Sequence, residues 1–189
     1  TTYGAGSGSS TSALYSSSDE GGNLNDRVES WDGSSWTEVA EVNTARSYGT
    51  QAGTDNTSAI FSGGYGGGDL ANVETWNGSS WTEVSDLNTA KQRFSGSMQG
   101  STTSTIVFGG TPPTSSLAQT ESWDGSSWTE VNDLATARRS GAGSGTALNS
   151  FFSGGQTGPS APSVVASTEE WTFSGLPPST PAAGYSDAI

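Results

Sequence analysis

The chain has 189 residues, of which 19 are acidic and 6 basic, a formal charge of −13, and neither cysteine nor histidine. The first absence excludes disulfides, thiolate nucleophiles and cysteine metal sites; the second removes the commonest metal ligand and general base. The negative field repels nucleic acid and anionic headgroups, and no apolar run approaches the ~20 residues that cross a bilayer, so neither a nucleic-acid partner nor membrane insertion is expected.

Only 30% of the residues are apolar, and 27 are glycine. Scattered apolar residues at that density read as disorder, but here they recur at fixed positions. Trp31, Trp76, Trp123 and Trp171 follow one another at intervals of 45, 47 and 48 residues. Such a period signals stacked or radial repeats, because a single unit cannot bury its own apolar face. The predicted organisation is one domain over 1–178, with repeats at about 3–47, 48–93, 94–140 and 141–178, followed by a tail over 179–189. The Thr-Thr-Tyr start and the lone Met98 predict a processed product or a fragment.

Taken in chain order, Tyr3-Gly4 aligns with Tyr48-Gly49, so the first repeat opens on its first strand. Its outer half reads Glu29-Ser-Trp31-Asp-Gly-Ser-Ser-Trp36-Thr-Glu-Val. The second repeat predicts strands over Tyr48–Thr54, Ser58–Ser62, Asn72–Trp76 and Trp81–Ser85. Its last two strands are joined through Asn77-Gly78, as Asp32-Gly33 and Asp124-Gly125 do elsewhere, a strong signal for tight hairpins. The third repeat returns with Glu121, Trp123 and Trp128. The fourth carries Glu169 and Trp171 but then runs Thr-Phe173-Ser-Gly-Leu176-Pro177-Pro178, with no second tryptophan. Proline cannot donate within a central strand, so the last unit is predicted to lack its outer strand. The tail Ala182–Ile189, or a neighbouring chain, is expected along the edge left open.

The repeated tryptophans are read as inter-repeat packing, since a ligand platform would not recur in every unit. Arg46, Lys91 and Arg138 recur after Thr-Ala in the linkers, and Glu29, Glu74, Glu121 and Glu169 each precede a tryptophan by two residues. Ion pairs between neighbouring units, Arg46 with Glu74 for example, are the expected use of these charges. No catalytic residue, metal site or cofactor is predicted. Asp55 and Asp69 are the non-repeated acids in mid-chain, and nothing in the sequence pairs them. Loops over Asn23–Asp26, Tyr65–Ala71, Thr111–Ala118 and Gln156–Ala166 lengthen along the chain. Variable loops on a constant scaffold are where recognition usually sits, which makes Tyr65, Phe151 and Phe152 the candidate ligand contacts.

An apolar strand, a glycine pair (Gly21-Gly22, Gly63-Gly64, Gly109-Gly110, Gly154-Gly155), a variable loop, a Glu-x-aromatic and a following tryptophan together resemble a kelch repeat. The match departs from the family in placing tryptophan, not tyrosine, at the first aromatic, and in a shortened spacing between the two aromatics. The resemblance implies an all-β, kelch-like β-propeller of about four blades, each of four short antiparallel strands, the last incomplete. It also resembles the repeat arrays of microbial and phage surface proteins. That implies an extracellular or virion-surface structural module, a homo-oligomer or filament subunit joining its copies through the open blade. A lectin-like adhesin binding surface glycans is the alternative, and a carbohydrate-active enzyme a more remote one.

Overall fold

Local turn chemistry builds the outer hairpins. Asp32, Asn77 and Asp124 each accept hydrogen bonds from the amides two and three residues on, at 2.8–3.0 Å. Gly33, Gly78 and Gly125 take φ of 95°, 92° and 97°, which only glycine adopts without strain. The flanking tryptophans then lie opposite one another: Trp31 with Trp36, Trp76 with Trp81, Trp123 with Trp128. These are four-residue loops closed by an Asx cap, wider than a two-residue Asn-Gly hairpin.

The computed structural model describes residues 3–112, 115–158 and 163–173. Among these there is no helix, and the strands form four antiparallel sheets, each in simple chain order. The first holds β1 (Ala5–Gly8), β2 (Ala13–Glu20), β3 (Asn23–Trp31) and β4 (Trp36–Val39). The second holds β5 (Thr50–Asp55), β6 (Ser58–Tyr65), β7 (Asp69–Trp76) and β8 (Trp81–Val84). The third holds β9 (Ser95–Gly96), β10 (Thr105–Phe108), β11 (Thr120–Trp123) and β12 (Trp128–Val131). The fourth has three strands, β13 (Ala142–Gly145), β14 (Asn149–Ser153) and β15 (Thr168–Thr172). The tail expected along its edge lies outside the described residues.

The first strands of the sheets gather about a common axis. β1 packs on β5, β5 on β9 and β9 on β13. Just before them, Tyr3, Tyr48, Arg93 and Ser140 all take φ of 55–64°. The amide of each donates to the carbonyl of its predecessor: Tyr48 to Tyr3 at 3.0 Å, Arg93 to Tyr48 at 2.9 Å, Ser140 to Arg93 at 2.7 Å. The four positions line one cleft, so the sheets are arranged radially, as in a propeller.

Three apolar clusters fill the spaces between successive sheets. Leu14, Val28 and Val42 meet Phe61, Trp76 and Trp81; Ile60, Val73 and Leu87 meet Trp123 and Trp128; Ile106 and Leu134 meet Phe152. The forward faces of the first two sheets are aliphatic, that of the third adds Phe108, and the rear faces of the second, third and fourth carry tryptophan or phenylalanine. The two tryptophans of a hairpin hold different things together. The first ties its own sheet, its Nε1 donating to Ser10, Asn56 or Thr102 at 2.9 Å. The second ties neighbouring sheets, Trp81 donating to the Ala40 carbonyl and Trp128 to that of Ser85, both at 3.1 Å.

Three features of the molecule differ from what its sequence implies. Gly63 and Gly64 do not end a strand: β6 runs through them to Tyr65 over a bulge, shortening the expected 65–71 loop. Gly21-Gly22 is not the partner of those glycines but the tip between β2 and β3. Bulge and register instead align Ser17 with Gly63, and Ser17 takes φ 54° against 55° at Gly63. A Cβ at Gly63 would meet the Phe94 ring; the residue aligned with Phe94 one sheet earlier is Gly49, which leaves Ser17 room. The Ser17 hydroxyl uses that room to share its one proton between the Arg46 and Asn25 carbonyls and to accept from the Arg46 amide at 3.1 Å. Finally, the indoles are not uniformly buried. Trp76, Trp81, Trp123 and Trp128 are 2–7% exposed, Trp36 is 50% exposed, and Trp31 and Trp171 are partly exposed.

Truncating Trp81 or Trp128 to alanine is expected to cost about 3–5 kcal/mol, and Trp36→Ala about 1 kcal/mol or less, because only the first two vacate a packed interface. Urea unfolding of the three variants measures the difference.

Candidate functional site

Side chains alternate along a strand, so a glutamate two residues before a tryptophan shares its sheet face. On β7, Glu74 and Trp76 both face the first sheet, where the linker leaving that sheet delivers Arg46. Arg46 Nη2 pairs with Glu74 Oε1, with both side chains buried. Lys91 pairs with Glu121 at 2.8 Å, and Arg138 with Glu169 at 2.5 Å. The second carboxylate oxygen binds the linker backbone, accepting from the amides of Asn43, Asn88 and Ala135 at 2.7–2.8 Å. The guanidinium also donates to strand carbonyls: Arg46 Nη1 to Asn72 at 2.9 Å, Arg138 Nη1 to Ser167 at 2.8 Å. Arg46 and Arg138 lie 4.6 and 5.0 Å from the Phe61 and Phe152 ring centres, within cation–π range. Burial pushes Arg46 and Lys91 below their ordinary values, and the paired Glu74 and Glu121 oppose that shift.

The first sheet carries the same rear face, but its own basic residue, Arg27, is exposed and no linker cation reaches Glu29. Glu29 is exposed and has no ion pair among the described residues. A cleft of about 220 Å³ opens beside it, lined by Tyr15, Ser18, Glu20, Asn25, Arg27, Glu29 and Glu38. Arg27 there lies 4.0 Å from Glu20 and is largely exposed. On the fourth sheet Phe151, which aligns with the buried Leu14, Ile60 and Ile106, is 42% exposed.

The candidate ligand contacts do not come together. Tyr65 ends β6, its backbone bonded both ways to Ser47 at 2.7 and 3.0 Å, with its side chain exposed. Phe151 borders a shallow cleft on the fourth sheet with Glu170 and Trp171. Phe152 points the opposite way and is fully buried under Arg138; strand alternation makes it a core residue and unavailable to a ligand. Asp55 caps its own turn through Thr57 at 2.7 and 2.8 Å, and those bonds hold its carboxyl below the usual range. Asp69 accepts from Gln92 Nε2 at 2.7 Å.

A cleft the sequence did not reveal opens on the axis. It measures about 270 Å³ and is lined by Tyr3, Tyr48, Arg93, Phe94, Ser140 and intervening glycines. Tyr3 stacks on Tyr48 with ring centres 4.1 Å apart, and Arg93 lies 4.7 Å from the Tyr48 ring. The Tyr3/Tyr48 alignment was visible, but the left-handed backbone that turns these non-glycine residues inward was not.

Compared with protein-family models and with curated protein sequences, the chain matches none.

Removing one partner of a buried pair strands the other charge. Glu121→Ala is therefore expected to cost about 3–5 kcal/mol, whereas Glu29→Ala stays within about 0.5 kcal/mol; thermal or urea denaturation reads both. The turn aspartates give a pH signature. Hydrogen bonds from the Ser35 amide, then the Ser34 hydroxyl and amide, bring Asp32 to about 2, and those from the Ser127 and Ser126 amides, then the Ser126 hydroxyl, do the same for Asp124. A carboxyl lowered from 3.8 to about 2 on folding contributes stability above its unfolded value that is lost as pH falls toward its folded one. Carboxyl NMR titration should place both midpoints near 2. The Ser34 and Ser126 amides should shift over the same range, while Ser79, held by the neutral Asn77, should not move.

Proposed function

We propose that the protein is a non-catalytic structural module of the kelch-repeat type, one unit of an extracellular or virion-surface fibre, which joins other copies through the open edge of its fourth sheet. The observation that carries this reading is the difference between the sheets. The first three end on a Trp-Thr-Glu-Val strand, whereas no strand pairs with the outer edge of β15 among the described residues. An unpaired edge offers a row of backbone donors and acceptors to another chain. Exposed Leu148 and Phe151 on the same sheet add apolar surface beside it. A contact between one sheet's edge and a different surface of the next copy is heterologous, and such contacts build rings or filaments. The kelch-type reading draws support from the four radial sheets and from the glutamate–tryptophan pair repeated on each rear face.

Sedimentation velocity over a wide concentration range tests the proposal. Reversible association that is abolished by Thr172→Lys, a charge on the exposed edge strand, with melting temperature unchanged, is the expected outcome. A monomer at every concentration, or association untouched by that change, would overturn it.

A further inference from the structure

We infer that the rear face of the first sheet is a docking surface for the exit linker of another repeat sheet, carried on a partner polypeptide and bearing an arginine or lysine in an Asn-Thr-Ala-Arg setting. The inference concerns the first sheet and not β15, and rests on the reading above that the protein is a module that contacts other chains.

The molecule itself supplies the precedent. The rear faces of its other three sheets are each covered by the linker from the sheet before. In each the cation pairs with the glutamate, and the amide three residues before the cation donates to that same carboxylate. In sheets two and three a linker-side carbonyl also receives the second tryptophan's Nε1. The first sheet presents each receiving group. Glu29 aligns with Glu74, Glu121 and Glu169, and Tyr15 with Phe61 and Phe152. The Ser17 and Arg27 carbonyls stand where those of Gly63 and Asn72 receive Arg46. The Trp36 indole is 50% exposed, with no acceptor for its Nε1 among the described residues.

Charge says what covers the face. Arg46 feels Glu83 and Asp86 as well as Glu74, and Lys91 feels Glu130 and Asp133 as well as Glu121. The matching acids of the first sheet are Glu38, directly opposite Glu29, and Glu41. The occupant is therefore cationic, and none of the basic side chains in these 189 residues is left to provide it. Of its six basic residues, Arg46, Lys91 and Arg138 are committed to other sheets. Arg93 lies over Tyr48 on the axis, and Arg139 donates to the Gly158 carbonyl at 2.9 Å. Arg27 belongs to the face itself and sits by Glu20. A second copy's fourth sheet carries no cation beyond Trp171, so it does not match the face either.

The probe is a synthetic peptide with the sequence of residues 39–48, Val-Ala-Glu-Val-Asn-Thr-Ala-Arg-Ser-Tyr, titrated into dilute protein while the Trp36 indole N–H is followed by NMR. Saturable binding that shifts Trp36 is expected. Arg46→Ala in the peptide, or Glu29→Gln in the protein, should each weaken it about tenfold or more, the loss of one hydrogen-bonded charge. No saturable shift, or binding indifferent to both replacements, would overturn the inference. So would burial of Trp36 on raising the protein concentration alone, which would give the face to a second copy. Because the peptide is added to dilute protein, and Thr172 is on the fourth sheet, not the first, this result stands or falls separately from self-association through β15.

Discussion

A cation that leaves one sheet and is neutralised inside the next is the interaction on which the stacking depends. Neither Arg46 nor Lys91 is tolerable in its surroundings alone, since burial works against the charged form of each. Each becomes tolerable only when the following sheet brings its glutamate, the aromatic ring or carbonyls beside it, and the linker amide into one arrangement. Buried pairs of this kind add little net stability, but they punish misplacement. A sheet that slid or turned against its neighbour would strand a charge on both sides, whereas apolar faces alone would tolerate many offsets. In a chain with 30% apolar residues, this is how a thin core holds a single register. The buried indoles and aliphatic side chains supply the apolar contact, and the ion pairs set where it goes.

The pairing also gives the molecule a direction. Every sheet offers a rear face with a glutamate and aromatic rings and a forward face without that glutamate, so a row of sheets has two unlike ends. The first sheet ends it with Glu29 and Trp36, and the fourth with Phe151 and the edge of β15. The exposure gradient among chemically identical tryptophans follows from this polarity. Trp36 and Trp81 occupy the same place in the repeat, yet only Trp81 has a sheet behind it.

Much of this was legible because the repeat writes it several times. The period, the hairpins at Asp32, Asn77 and Asp124, the recurring glutamates and the recurring linker cations are all local patterns copied along the chain. What the pattern concealed lay where one unit departs from the others. Gly21-Gly22 looks like the glycine pair of the other repeats, but the left-handed position of the first sheet is held by Ser17. That substitution makes sense only once Gly49 is known to leave space beside it. Phe151 and Phe152 are indistinguishable as an aromatic pair in sequence, and which of them is core depends on the parity of β14 against β13.

The sequence alone determined the unit: its length, its turns, the side chains that share a face and the charges that must be neutralised. These follow from strand alternation and turn chemistry, which act over a few residues. Only the tertiary structure decided which copies of the unit are covered and which are bare, and that the starts of the four repeats converge on one axial cleft. Burial is a property of neighbours distant along the chain, so identical words acquire different surroundings according to what is packed behind them.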